Sequence, residues 1–237
     1  IEEPEQLLKN DYDLFLFLEC GDGDPIYTEL RDVRARKRAS WYFDAALYPQ
    51  CWLETLRLFE FDINFIANSH MLYDSFKTEF LPYAADEIIH YRSPTHHKSR
   101  MFGFVGSDRP ERRALANRLD IELKSGIFRE EYINYLASSH YAINDIAGGG
   151  TGLVAMRPFE ALIAGAALIT PKSDGVKQLG LPCLEYSSQE ELISIARHIR
   201  DNNILPDNTG QSIVLSNHTY KNRCATILEK LFPYERV

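Results

Sequence analysis

Residues 157–165 read RPFEALIAG and run directly into the apolar stretch AALIT at 166–170. Pro158 suits the first position of a helix, where a missing N–H removes no bond the helix would have made. Glu160 then falls in the first turn, where the positive end of the helix dipole favours a carboxylate. Gly165 suits the position just past the helix end, because a left-handed backbone is cheap there only without a side chain. A capped helix followed by a short apolar strand is one half of an α/β crossover, so the stretch predicts a parallel α/β layer.

Just upstream stands GGGTG at 148–152, flexible enough to bring backbone N–H groups close to an anion. A glycine loop feeding a helix start that bears Arg157 and Glu160 can hold a phosphate and a sugar hydroxyl together. The same residues also serve an ordinary crossover that binds nothing, and local chemistry leaves both readings open.

Composition narrows the classes. At 237 residues the chain suits one large or two small domains, and 45% hydrophobic residues can supply real cores. A formal charge of -8 argues against binding nucleic acid over the whole surface, though a local basic patch stays open. The longest apolar runs, such as 161–169, are interrupted and too short to span a bilayer. No segment reads as a cleavable signal. Cys20, Cys51, Cys183 and Cys224 lie far apart, without the close pairs of zinc ribbons or redox motifs, which implies a reduced, cytoplasmic setting. The chain begins at Ile1 rather than Met, so further residues are expected upstream.

Short apolar runs alternate with helical patterns along the chain. In the first half the pattern predicts a strand at 12–18, a helix at 26–37, a strand at 39–43, a helix at 52–59 and a strand at 63–67. A helix at 70–76 and a short strand near 80–84 follow. Residues 86–99 turn polar and carry Pro94, His96, His97 and Lys98, which marks a domain boundary. The second half predicts strands at 101–105, 121–123, 141–144, 167–170 and 182–186, with helices at 111–119, 130–138, from 157, and at 189–201. Ser187 or Ser188 caps the last of these, with Glu190 or Glu191 in its first turn. A long final helix is expected over 212–231.

Four segments of the second half resemble the CgeB-like, spore-maturation type glycosyltransferases, relatives of the group 1 enzymes. They are FGFVGSDRPERRALANRL at 102–119, RPFEALIAGAALIT at 157–170, LEYSSQEELISIARHI at 184–199 and SNHTYKNRCATIL at 216–228. Weaker echoes are RASWYFDAAL at 38–47 and FLPYAADEIIH at 80–90. The resemblance implies an α/β chain of GT-B type, with two Rossmann-like lobes and a donor cleft between them. Its parts would be an acceptor-side lobe at 1–98, a donor-binding lobe at 99–211, and a C-terminal helix at 212–237 packing back toward the first lobe. The first lobe is short for the type, and missing strands are expected before it.

The resemblance also implies roles. Glu160 would bind the donor ribose hydroxyls, and Arg157 would meet the diphosphate as it leaves. Backbone N–H groups of Gly149, Gly150 and Thr151 would line the sugar-phosphate region. Gly106 and one of Arg109 or Arg112 would approach the diphosphate from the first loop. Positioned cations and a helix dipole answer the leaving charge, so no cofactor and no metal are expected. The donor would be a nucleoside-diphosphate sugar, UDP- or GDP-linked. The acceptor is a hydroxyl on a protein, a glycan, a small molecule or a modified DNA base, and nothing in the sequence sets an oligomeric state. In retaining group 1 enzymes a glutamate stands eight positions before the ribose-binding one, and here that position is Gly152. This leaves the stereochemical outcome open, and with it a non-catalytic, GT-B-like binding or assembly role.

An inverting enzyme needs a base on the acceptor side. Asp44, at the end of a predicted strand, and His70, after the next, are the candidates, each equally suited to a capping role. His218 is either a cleft residue or a buried, hydrogen-bonded histidine. The basic run 31–38 reads as the solvated face of a helix. His96 and His97 lack the spacing of a helical metal pair. Tyr42, Tyr48 and Tyr83 are candidates for stacking on a sugar or base.

Overall fold

The computed structural model describes residues 7–19, 28–43, 49–68, 74–145 and 154–233. The chain divides into two units, Ile1–Pro82 with Ala225–Val237, and Tyr83–Cys224.

In the first unit β1 (Asp11–Leu18), β2 (Arg34–Tyr42), β3 (Ile63–Ile66) and β4 (Thr78–Phe80) pair in that order, all parallel. Between β2 and β3 comes α1 (Pro49–Leu58). Trp52, Leu56 and Phe59 recur at i, i+4 and i+7 on one side, and all three are buried against Phe17, Tyr42 and Ile66.

The helix expected at 26–37 is not formed where the chain is described. Thr28–Asp32 is a 3-10 turn, and β2 already begins at Arg34. The reason is cross-strand charge matching. Arg34 stands opposite Asp11 in register and pairs with it at 3.1 Å, and Arg36 reaches Asp13 at 3.3 Å. Arg38 lies over the Phe15 ring and donates to the Val33 carbonyl at 2.7 Å. The basic run is therefore largely the outer end of a strand, not a helix face. Of the helix expected at 70–76, the described part is the 3-10 turn Asp74–Phe76.

The second unit contains β5 (Arg100–Val105), α2 (Pro110–Leu119), β6 (Leu123–Lys124), α3 (Arg129–Ala137) and β7 (Ser139–Ile143). Next come α4 (Arg157–Ile163), β8 (Ala167–Pro171), α5 (Asp174–Gln178), β9 (Cys183–Tyr186) and α6 (Gln189–Asp201), then α7 (Thr209–Asn217) and the start of α8 (Tyr220–Leu231). Its parallel sheet runs β6-β5-β7-β8-β9. Alternation sends Phe102, Phe104, Tyr141, Ile143 and Ile169 to the face covered by α2 and α6. Ala142 and Leu168 point to the other face, under α3 and α4. Both faces are covered, which is why these strands read as nearly unbroken apolar runs.

Two local expectations, a strand and a helix, are corrected by the structure. The strand expected at 121–123 is the short β6. The polar stretch 86–99 is bonded to the second unit: Arg92 donates to Asn134 at 2.8 Å, and Lys98 Nζ donates to the carbonyls of Ser139 and Gly165 at 3.0 and 2.6 Å. The expected final helix is two helices, α7 and α8, broken at His218 and Thr219. Thr219 Oγ1 accepts from the Asn222 N–H at 3.3 Å, while Asn222 Oδ1 accepts from the Thr219 N–H at 2.9 Å. That reciprocal pair is a capping box with Asn in place of Glu, and it starts a new helix.

Candidate functional site

The sheet order reverses between β5 and β7, and in open parallel sheets ligands bind beyond the carboxyl ends of the strands at such a point. Gly106 follows β5 there, and Asn144 and Asp145 follow β7. Arg112 ties the two strand ends together. Its Nε reaches Asp145 Oδ2 at 3.1 Å, its Nη2 the Asp145 carbonyl at 2.9 Å, and its Nη1 Ser107 Oγ at 2.8 Å. A Cβ on Gly106 would stand 2.7 Å from Arg112 Nη1, so the glycine lets the guanidinium lie against the loop. Arg112 is thus committed to Asp145, whereas Arg109 is exposed at the N-cap of α2.

Helix α4 is fixed at both ends. Pro158 is at its second rather than first position, among the N–H groups a helix leaves unbonded. Gly165 has φ of +83°, with its N–H on the Leu162 carbonyl at 3.0 Å and the Ala166 N–H on the Ala161 carbonyl at 2.9 Å. These two bonds form a Schellman motif. Gln211 Nε2 closes the Ile163 carbonyl at 2.7 Å, and Lys98 closes that of Gly165. Burial pushes the Lys98 ammonium down to about 8.

The first turn of α4 holds the candidate residues Arg157 and Glu160. Glu160 is only 8% exposed. The Tyr132 hydroxyl of α3 donates to Glu160 Oε2 at 2.6 Å. Burial, and then the Glu160 carboxylate, push the Tyr132 phenol well up, with Arg157 opposing. His90 Nε2 stands 3.8 Å from Glu160 Oε1. Its Nδ1 accepts the Asp86 N–H at 3.0 Å, so the ring proton sits on Nε2, facing the carboxylate. Among the described residues no donor lies within hydrogen-bond range of Glu160 Oε1. Arg157 Nε is buried and has no hydrogen-bond partner among the described residues.

The HTY-x-x-R segment supports this turn from below. The Ala85 N–H donates to the His218 carbonyl at 2.9 Å, and the Tyr220 N–H to the Ala85 carbonyl at 3.0 Å. Burial, then the Glu160 and Asp86 carboxylates, push the Tyr220 phenol up. His218 is buried, with Nε2 toward the Leu179 carbonyl at 3.1 Å and its ring 5.7 Å from that of Phe159. It is the hydrogen-bonded structural histidine of the two alternatives.

Among the expected site residues the structure therefore brings Arg157 and Glu160 together in one turn, and Gly106 with Arg112 at the neighbouring strand ends. Asp44, His70, Gly149, Gly150 and Thr151, with Tyr48, lie outside the described residues. Tyr42 is buried in the first core. Sequence reasoning missed Tyr132 and His90. His90 closes the echo at 80–90, whereas nothing in REEYINYLA marks Tyr132 apart from its neighbours. Among the described residues no three His, Cys, Asp or Glu side chains group to hold a metal, and no helix is long and apolar enough to cross a membrane.

Solved structures share the fold. HepE from Anabaena, in complex with UDP, superposes with a TM-score of 0.61 at 14% identity, covering 96% of this chain and 80% of its own. AviGT4, a glycosyltransferase involved in avilamycin A biosynthesis, gives 0.60 at 13% identity over 96% of this chain and 76% of its own. Sucrose-phosphate synthase from Thermosynechococcus elongatus gives 0.59 at 12% identity over 94% and 75%. The fold is that of the GT-B glycosyltransferases. No curated protein matches the chain. Residues 92–229, more than half of the chain and including both the α4 turn and the HTY-x-x-R segment, match the glycosyl transferase-like family, and the chain belongs to that family.

Proposed function

We propose that this protein moves a sugar from a nucleoside-diphosphate sugar, UDP- or GDP-linked, to a hydroxyl acceptor. The observation that carries the reading is Glu160: a buried carboxylate in the first turn of α4, bonded on Oε2 and open on Oε1. A carboxylate so oriented is an acceptor for ribose hydroxyls. HepE, with its UDP and UDP-glucose complexes, supports the donor class. The four segments quoted above support the CgeB-like subtype, and the separated cysteines support a cytoplasmic setting.

In this reading the bond from the sugar C1 to the diphosphate breaks as the acceptor oxygen bonds to C1. The acceptor proton goes to a base, for which Asp44 and His70 are the candidates. Negative charge grows on the departing diphosphate, and the Arg157 guanidinium, with a buried Nε that has no hydrogen-bond partner among the described residues, is the cation to receive it. N–H groups at 149–151 and Arg109 would share that charge, which leaves the step without need of a metal or other cofactor. Arg112, committed to Asp145, shapes the first loop instead. Residues 1–98 would hold the acceptor and 99–211 the donor, with 212–237 returning toward the acceptor side.

Gly152 in place of the first glutamate favours one second reading, a GT-B scaffold kept for binding or assembly. A mass-spectrometric screen of UDP-, GDP-, ADP- and TDP-sugars with the full-length protein separates the two. Turnover of a UDP- or GDP-sugar is expected, and turnover of none selects the scaffold.

A further inference from the structure

A glutamate side chain turns about three bonds, and a ligand that needs one rotamer must freeze the others when it binds. In this protein the freezing is done beforehand. Tyr132 is packed under α4 with its ring against the core, and its hydroxyl is 2.6 Å from Glu160 Oε2. The phenol is pushed up by burial and by the carboxylate itself, so it stays a donor and Oε2 stays occupied. His90, held by the Asp86 N–H, faces the other oxygen from 3.8 Å, close enough to orient it and too far to take it.

We infer that Tyr132 is a positioning residue for nucleoside recognition: its hydroxyl holds the Glu160 carboxylate so that Oε1 is presented to the ribose. The inference rests on the reading of Glu160 as the ribose ligand. Preorganisation of this kind raises affinity by removing an ordering cost, and it acts only on ligands that use the ordered group. A nucleotide without ribose hydroxyls gains nothing from it.

The test is a ratio. Calorimetric titration gives the Kd of UDP and of 2′,3′-dideoxy-UDP, and of the GDP pair, for wild type, Glu160→Gln and Tyr132→Phe. Wild type should prefer at least one ribonucleotide over its dideoxy form by roughly tenfold, the worth of a hydrogen bond to a charged group. Glu160→Gln should bring that ratio close to one, and Tyr132→Phe should lower it at least about threefold, both through weaker ribonucleotide binding. Because each ratio is taken within one preparation, a misfolded fraction lowers the stoichiometry and leaves the ratio unchanged. A Tyr132→Phe protein that keeps the wild-type ratio, even with both affinities reduced, overturns the inference while the Glu160 reading stands. A wild type that shows no preference, or binds neither nucleotide, overturns that reading and the inference with it.

Discussion

Arg223 donates from Nη2 to Nδ1 of His218 at 3.1 Å, and its Nε and Nη2 also reach the Tyr83 carbonyl. With Nε2 turned to the Leu179 carbonyl, the His218 ring has room for one proton only. Burial, and then the Arg223 charge, push its pKa below the ordinary value.

The sign of the pH dependence follows. Below about pH 6.5 the unfolded chain binds a proton on His218 that the folded chain refuses. Stability contributed by the neutral ring is therefore present above that pH and lost as pH falls through it. Urea midpoints between about pH 5 and 7.5 should decline on the acid side more steeply in wild type than in His218→Gln. Parallel profiles would contradict the assignment.

Arg112 and Asp145 form a half-buried pair, with side chains 11% and 26% exposed. Arg112→Met leaves Asp145 without its cation and should cost about 2–3 kcal/mol. Gly106→Ala should cost about 1–3 kcal/mol by itself, since its Cβ meets a guanidinium fixed by three hydrogen bonds. The two losses should not add, because the double variant has no guanidinium to displace. Additive losses in a denaturation cycle would show that the contact is not tight.

Gly165 tests the end of α4. At φ +83° a side chain is strained, so Gly165→Ala should lower stability by about 1–2 kcal/mol, and Gly165→Asn by less. Thermal melting reads both. Equal loss for Ala and Asn would point to the neighbours of the glycine rather than its backbone.

The α4 turn and the strand after it were legible because Pro158, Glu160 and Gly165 each obey a local rule that needs no partner elsewhere. Ser188 was legible for the same reason, and its hydroxyl does cap α6, accepting the Glu191 N–H at 3.1 Å. The strand β2 was not. Its first half is dense in cations, and only the partners Asp11 and Asp13 on β1, distant in sequence, make that density fit a strand. The break before α8 had a local sign, Thr219 with Asn222 three residues on, in the polar stretch 216–223 between the apolar runs 213–215 and 224–228. Tyr132 had no sign at all, because what distinguishes it is a carboxylate brought near by the tertiary fold.

In the proposed function Arg157 meets the leaving diphosphate. A fixed cation gains interaction energy as phosphate charge grows, so Arg157→Ala should lower kcat by on the order of a hundredfold and weaken ground-state donor binding less. A structural arginine would instead lower the Tm, with activity falling only in proportion to unfolding. Unchanged kcat in a well-folded Arg157→Ala protein would contradict the role.

Glu160 carries the whole account, and calorimetric titration of Glu160→Gln with UDP and GDP tests it most directly. Substituting the amide removes the charge proposed to accept ribose hydroxyls, and it leaves the Tyr132 hydroxyl an oxygen to bond. Nucleotide affinity should fall by roughly tenfold or more while the melting temperature stays close to wild type. A carboxylate that served only the helix dipole would cost the fold a few tenths of a kcal/mol, up to about 1, on substitution. Unchanged UDP and GDP affinity with a small loss of stability would be that result, and it would contradict the assignment of this turn to a nucleotide-sugar donor.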